Sequence, residues 1–155
     1  MLRKVLTLIS VVVVAMLAVV PSVSAQESQG RGSLTAQGDG IAILRGRGTV
    51  DLSSNGILWI KDAAGDAIIE VTGSGQKEEF PDGWIQYAGF HGTAHVEGSR
   101  IGVILAGVDI ELAAQGRGMA RLWGHGTYQS PDGDGEWRAT RLGARVRLAA
   151  PSPEQ

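Results

Sequence analysis

Cysteine is absent from the 155-residue sequence. The chain therefore has no disulfides, no thiolate nucleophile and no cysteine-ligated metal, and its stability must come from packing and strand pairing. Proline is scarce and scattered, with five residues, which excludes collagen and proline-rich linkers. A hydrophobic period of 3.6 is also missing after residue 25, so no helix is predicted there.

Catalytic motifs are missing as well. Gly-x-Gly segments such as Gly38–Gly40 and Gly116–Gly118 neither open a predicted helix nor carry the Lys-Ser/Thr ending of a phosphate-binding loop. No Gly-x-Ser-x-Gly segment marks a serine nucleophile. We therefore expect a protein that is not an enzyme and holds no cofactor, with calcium as the one exception considered below.

The first 25 residues have the order of an export signal. Arg3 and Lys4 precede an apolar run, and small residues end at Ala25, which is the secretory pattern. An uncleaved anchor is the alternative, but the run is near the short end of the ~17–25 residues that a spanning helix needs. The sequence thus predicts a secreted protein (periplasmic, cell-surface or extracellular) with no membrane span in its mature chain.

The chain divides into four predicted regions. They are a cleaved signal peptide (1–25), a flexible N-terminal segment (26–32), a single all-β domain (33–149) and a disordered tail (150–155). Residues 26–155 contain 12 basic and 16 acidic residues, and this net charge of −4 argues against a nucleic-acid partner. All 23 glycines also lie after residue 25.

Hydrophobic residues occupy alternate positions through most of the predicted domain. Ile101–Leu105 and Val108–Leu112 are two such runs, and this period of two is typical of half-buried antiparallel strands. Turn-forming residues separate the runs, at Ser53–Gly56, Ala64–Asp66, Pro81–Gly83, Glu97–Ser99 and Pro131–Gly135.

An internal repeat is the most informative feature. Residues 34–50 match residues 112–128 at ten of seventeen positions, 78 residues apart. The matches fall mainly on alternate positions, which share one face of a strand: Leu34, Ala36, Gly38, Gly40, Ala42, Leu44, Gly46 and Gly48. The other face has diverged, for example from Arg45 to Trp123. We expect the first face to be buried and the second to be wet.

The repeated strand cannot be straight. Residues 34–52 would span roughly 60 Å as one extended strand, whereas a domain of this size is about 35–40 Å across. We therefore expect the strand to bend at its glycines. The predicted fold class is all-β and antiparallel, a small glycine-rich barrel or orthogonal sandwich with an internal strand duplication; a β-solenoid is the alternative.

Three groups of side chains are candidates for binding. Aromatic residues could hold a small ligand or a carbohydrate: Trp59, Trp84, Tyr87 and Trp123. Arginines near the end of the chain could contact an anionic partner, although charge also protects an edge strand: Arg138, Arg141, Arg145 and Arg147. Alternating carboxylates in an acidic turn could bind calcium, although the full twelve-residue calcium loop is missing: Asp132, Asp134 and Glu136.

His91 and His95 form the only local histidine pair, but in a strand they would lie some 13 Å apart, so we expect exposed histidines without a shared metal. The functional hypothesis is an exported, non-enzymatic module of the cell envelope or extracellular space, with a structural or adhesive role. Its partners would be an envelope polymer or further copies of the chain. The alternative is a carbohydrate or small-ligand binder that uses its tryptophans.

Overall fold

The computed structural model of the protein describes residues 32–149, in which every regular element is a strand. The strands are β1 (Gly32–Asp62), β2 (Ile68–Glu79), β3 (Trp84–Ser130), β4 (Gly133–Glu136) and β5 (Ala144–Leu148). All pairings are antiparallel, which confirms the predicted all-β class. Across 32–149 there is no helix that could cross a membrane. The predicted signal peptide (1–25) and tail (150–155) lie outside the described residues, as does the 26–32 segment except for Gly32.

β1 and β3 bend repeatedly, because neither could be straight at 31 and 47 residues. Ala36 and Leu52 are both Cα partners of Leu112, although sixteen residues of β1, or roughly 50 Å of extended strand, separate them. Because β1 stays paired with β3 between these two residues, the two strands must coil together until Leu52 arrives on the opposite side of Leu112 from Ala36. This curvature produces two layers from one sheet.

Each layer is seven strand segments wide. Across layer 1 the inward-facing Cα partners run in the order Gly135, Tyr128, Ala36, Leu112, Leu52, Ala94 and Val71. Across layer 2 the order is Val146, Ala120, Leu44, Val103, Ile60 and Ile85, and the row ends at the edge with the exposed Glu79. The hydrophobic core lies between these rows. The sheet is not closed, since β2 forms one edge and β4 and β5 the other, so the sandwich form of the prediction agrees with the structure. The solenoid alternative does not, because its rungs would run parallel.

Glycine pairs mark the bends between the layers. In six of the glycine pairs that face each other across neighbouring strands, the two backbones approach closely: Gly38 with Gly126, Gly40 with Gly124, Gly46 with Gly118, Gly48 with Gly116, Gly56 with Gly107, and Gly73 with Gly92. A Cβ on any of these twelve residues would lie 2.0–2.3 Å from a carbonyl oxygen of the facing strand. The backbones approach too closely for any side chain, and this contact explains much of the high glycine content.

The two copies of the repeat are antiparallel neighbours. Ile43 pairs with Arg121, and these residues occupy the same position in the two copies. A local two-fold axis therefore passes near this pair, so that Gly40 meets Gly124 while Gly46 meets Gly118. The glycines of each copy thus supply the partners for the glycines of the other.

The inside and outside of the repeated strand agree with the comparison of the two copies. Leu34, Ala42 and Leu44 are buried, whereas Gln37 and Arg45 are exposed. Alternation along a bent strand preserves this arrangement in both layers, because each bend turns the inner face toward the same core.

Two of the predicted turns are wrong. Ser53–Gly56 lies within β1, and Glu97–Ser99 lies within β3. At the first of these, Gly56 serves the close approach of Gly107 at a bend, and the chain does not reverse there. Reversals do occur after Asp62, after Glu79 and at Pro131–Asp132.

Candidate functional site

The outer faces of the two layers carry opposite charge. On layer 1, the outward positions hold six carboxylates, which we call the acidic face: Asp51, Glu70, Glu97, Glu111, Asp134 and Glu136. On layer 2, they hold five cations, which we call the basic face: Arg45, Lys61, Arg121, Arg145 and Arg147. One carboxylate, Glu78 on edge strand β2, also occupies an outward position of layer 2. Neither sign dominates the sequence, so the separation is produced by the fold.

The acidic face forms an open groove of about 980 Å³. Its lining combines carboxylates with the hydroxyls of threonines, among them Thr72 and Thr93, whose Oγ1 atoms lie 2.6 Å apart. Among residues 32–149, His95 is the one base in this lining, and its Nδ1 lies 2.6 Å from Oδ1 of Asp51. The hydrogen bond to Asp51, helped by the charges of Glu70 and Glu97, raises the pKa of His95 above its ordinary value.

The basic face contains a shallow trough of about 700 Å³. Lys61 and Arg45 are both Cα partners of Gly102, which has no side chain to fill the space between them. Trp84 pairs with Lys61 on the next strand, and the Lys61 ammonium lies 5.5 Å from the centre of the Trp84 ring. The trough is therefore lined by five cationic residues, Arg45, Arg47, Lys61, Arg100 and Arg117, with Trp84 as an aromatic wall.

Arginines of like charge are placed directly opposite each other on this face. Arg121 and Arg145 are Cα partners, an arrangement that is destabilising in a sheet. Arg45, Arg121 and Arg145 form no ion pair within residues 32–149. Their charges are therefore available to an external anion.

The predicted arginines divide into two groups. Arg145 and Arg147 belong to the basic face, where β5 pairs with β3. Arg138 and Arg141 lie in the connection between β4 and β5, outside the sheet. The sequence pattern identified only the arginines of β5. It did not show that Arg45, Lys61 and Arg121, from three other strand segments, would lie on the same face.

The predicted aromatic residues do not form one site. Trp59 and Trp84 meet edge to face, with ring centres 6.2 Å apart, and Phe80 joins them at 5.1 Å from Trp59. Tyr87 faces the core and contacts Phe90. Trp123 lies over Gly143 on the outer side of layer 2.

The predicted calcium ligands lie at the edge of the acidic face that β4 forms. Asp132 is in the turn before β4, and Asp134 and Glu136 point outward from β4. Over the described part of the chain, no three His, Asp or Glu residues are grouped as metal ligands would be. His91 is hydrogen-bonded to Asn55 and His95 to Asp51, so the two histidines have separate partners.

These features define a class of protein, an all-β sandwich with an open sheet and outer faces of opposite charge. No protein-family model matches the chain, and no curated protein or solved structure matches it. Its function must therefore be argued from its own residues.

Proposed function

We propose that this protein is an exported, non-enzymatic adhesive module that holds an anionic component of the cell envelope on its basic face. The observation that carries the proposal is the opposed pair Arg121 and Arg145, set among further cations on one sheet face. The amino-terminal export pattern and the missing catalytic motifs support the location and the non-enzymatic role.

The basic face is dense enough to act as a unit. Neighbouring strands are about 4.8 Å apart, so Arg121 and Arg145, as Cα partners, lie well within the Debye length of ~8 Å at physiological ionic strength. Their potentials therefore add, and an anionic polymer would relieve the repulsion between them. The carboxylates of the acidic face are turned to the other side of the sandwich and do not compete.

The test is binding of polyphosphate, measured by calorimetry. We expect binding by the wild type and about a tenfold or greater loss in a variant with Arg121→Gln and Arg145→Gln, since hydrogen bonds between charged groups contribute ~1.5–3 kcal/mol each. Lys77→Gln is the matched control, because Lys77 lies on edge strand β2 in an ion pair with Glu79. Failure of the wild type to bind, or an equal loss in Lys77→Gln, would overturn the proposal.

The aromatic wall of the trough favours a second candidate, in which the domain binds carbohydrate. Trp84 is half-buried, and an aromatic ring beside polar groups suits the apolar face of a sugar. Titration with neutral oligosaccharides, followed by tryptophan fluorescence, tests this. Quenching in the wild type that is lost in Trp84→Ala would support it, and unchanged fluorescence in the wild type would exclude it.

A further inference from the structure

The basic face also contains an exposed apolar patch. Two neighbouring rows of outward-facing residues cross three adjacent strand segments of layer 2. Cα partners in the first row are Ile43, Ile104 and Trp59, and in the second row Ile41, Ala106 and Ile57. Ile41 and Ile57 are 42% and 37% exposed, so the patch is open to solvent and is unusual on the outside of a sheet.

Cations border this patch on two sides. Arg121 continues the first row, as the Cα partner of Ile43, and Arg145 follows it. Arg45 and Lys61 each lie two residues further along the strand from Ile43 and Trp59, on the same face. At the end of the second row, Trp123 is the Cα partner of Ile41. The surface is therefore apolar in the middle, with arginines, Lys61 and Trp123 along much of its border. Two carboxylates also lie at the border: Asp39, two residues before Ile41 on the same face, and Glu78, the Cα partner of Gln86 beyond Trp59 in the first row.

We propose that the anionic component is a lipid surface, on which the basic face lies with its apolar patch at the boundary between headgroups and acyl chains. The proposal rests on the proposed function and names its partner. The isoleucines would enter the acyl boundary, and the arginines and lysine would contact anionic headgroups. Trp59 and Trp123 suit the level of the headgroups, where tryptophan is enriched.

The arrangement favours a lipid over other partners. A soluble polyanion would use the cations but would leave Ile41 and Ile57 in water. A second copy of the chain offers the acidic face, but over residues 32–149 the exposed large hydrophobic residue at its outward positions is Ile68, on edge strand β2, which is too little to cover two isoleucines. A lipid surface would bind the cations through its headgroups and cover the isoleucines with its acyl chains.

The experiment is co-sedimentation of the protein with two kinds of vesicle. One kind is pure phosphatidylcholine, and the other contains phosphatidylglycerol as well. We expect binding to the anionic vesicles, with a blue shift of tryptophan fluorescence. Arg45→Gln should weaken it about fivefold, whereas Lys77→Gln should change it little.

The apolar patch is tested with a variant carrying Ile41→Thr and Ile57→Thr, because threonine keeps the preference for strands. We expect at least a tenfold loss of vesicle binding, on the order of what burial of two isoleucines contributes, and unchanged polyphosphate binding. Ile68→Thr is the control, since Ile68 is 55% exposed on β2, outside the patch. Thermal melts of all variants show whether the fold is intact.

Three outcomes would overturn the inference. Equal vesicle binding by the double threonine variant and the wild type would exclude a role for the apolar patch. Equal binding to both kinds of vesicle would exclude a role for the anionic headgroups. Polyphosphate binding without vesicle binding would overturn the lipid partner while leaving the proposed function intact. Binding to neither anion would overturn both.

Discussion

Replacing one glycine of a cross-strand pair should strongly destabilise the sandwich at a bend. Gly124 faces Gly40, and a Cβ at Gly124 would lie 2.1 Å from the carbonyl oxygen of Asp39. A carbon and an oxygen in contact are normally ~3.3 Å apart or more, so Gly124→Ala must move the two strands apart by about 1.2 Å. This movement would break the ladder where β1 and β3 pass between the layers.

The expected cost has two parts. Gly124 has φ = 124°, which strains any other residue by ~1–3 kcal/mol. Forcing a methyl group into a filled space adds ~1–3 kcal/mol. We expect Gly124→Ala to lower the free energy of unfolding by about 2–6 kcal/mol, a large part of the ~5–15 kcal/mol that holds a domain folded.

Substitutions at two further glycines distinguish the backbone strain from the steric cost. All three variants are compared by urea unfolding followed by tryptophan fluorescence. Gly133 has φ = 130°, and a methyl group added there would have no atom within 4 Å, so Gly133→Ala measures the strain alone. Gly102 has no such φ, and its added methyl would meet Trp84 at 3.4 Å, so Gly102→Ala should be nearly neutral. If Gly124→Ala costs no more than Gly133→Ala, the close approach of the backbones contributes nothing and the reasoning is refuted.

Three smaller predictions concern single side chains. Trp137→Phe should cost about 1–2 kcal/mol in the same urea assay, because buried Trp137 donates from Nε1 to the Thr127 carbonyl at 3.1 Å; a neutral result would contradict this. In NMR titrations, His95 should have a pKa above its ordinary 6.5, and Asp51→Asn should lower that pKa. The stabilisation of the fold by the contact between His95 and Asp51 is therefore complete below pH 6.5 and is lost as the pH rises through the raised pKa. Asp62 accepts hydrogen bonds from three backbone amides, the largest effect being that of Ala67, and its pKa lies below 3.8. Its stabilisation should therefore persist above pH 3.8 and fall as acid protonates it, and Asp62→Ala should speed hydrogen exchange at the Ala67 amide; unchanged exchange would count against the turn.

The buried and exposed faces of the repeated strand could be predicted because the chain contains two copies of that strand, which can be compared with each other. Leu44 and its equivalent Leu122 are the same residue, and both are buried, whereas Arg45 became Trp123 on the wet face. The bends followed from length alone. The pairing of the copies with each other could not be predicted, since it depends on β3 returning to β1 across 78 residues, and no local pattern encodes that register.

The basic face was visible only in part. Arg145 and Arg147 stand on one strand and alternate with apolar residues, so a sequence pattern can find them. Arg121 and Lys61 come from distant segments and join them only through strand order. The apolar patch left one signal in the sequence: Ile43 is hydrophobic on the face predicted to be wet, where the second copy has Arg121. The alternation of polar and apolar residues does not show what such an exposed hydrophobic residue contacts.

The most direct test of the charge-separated sandwich is the salt dependence of its affinity for polyphosphate. Each phosphate contact should contribute roughly one unit to the slope of log affinity against log salt. We expect Arg121→Gln together with Arg145→Gln to lower this slope by about two units, while Lys77→Gln leaves it unchanged. A slope near zero in the wild type, or the same slope in all three proteins, would contradict the proposed role of the basic face.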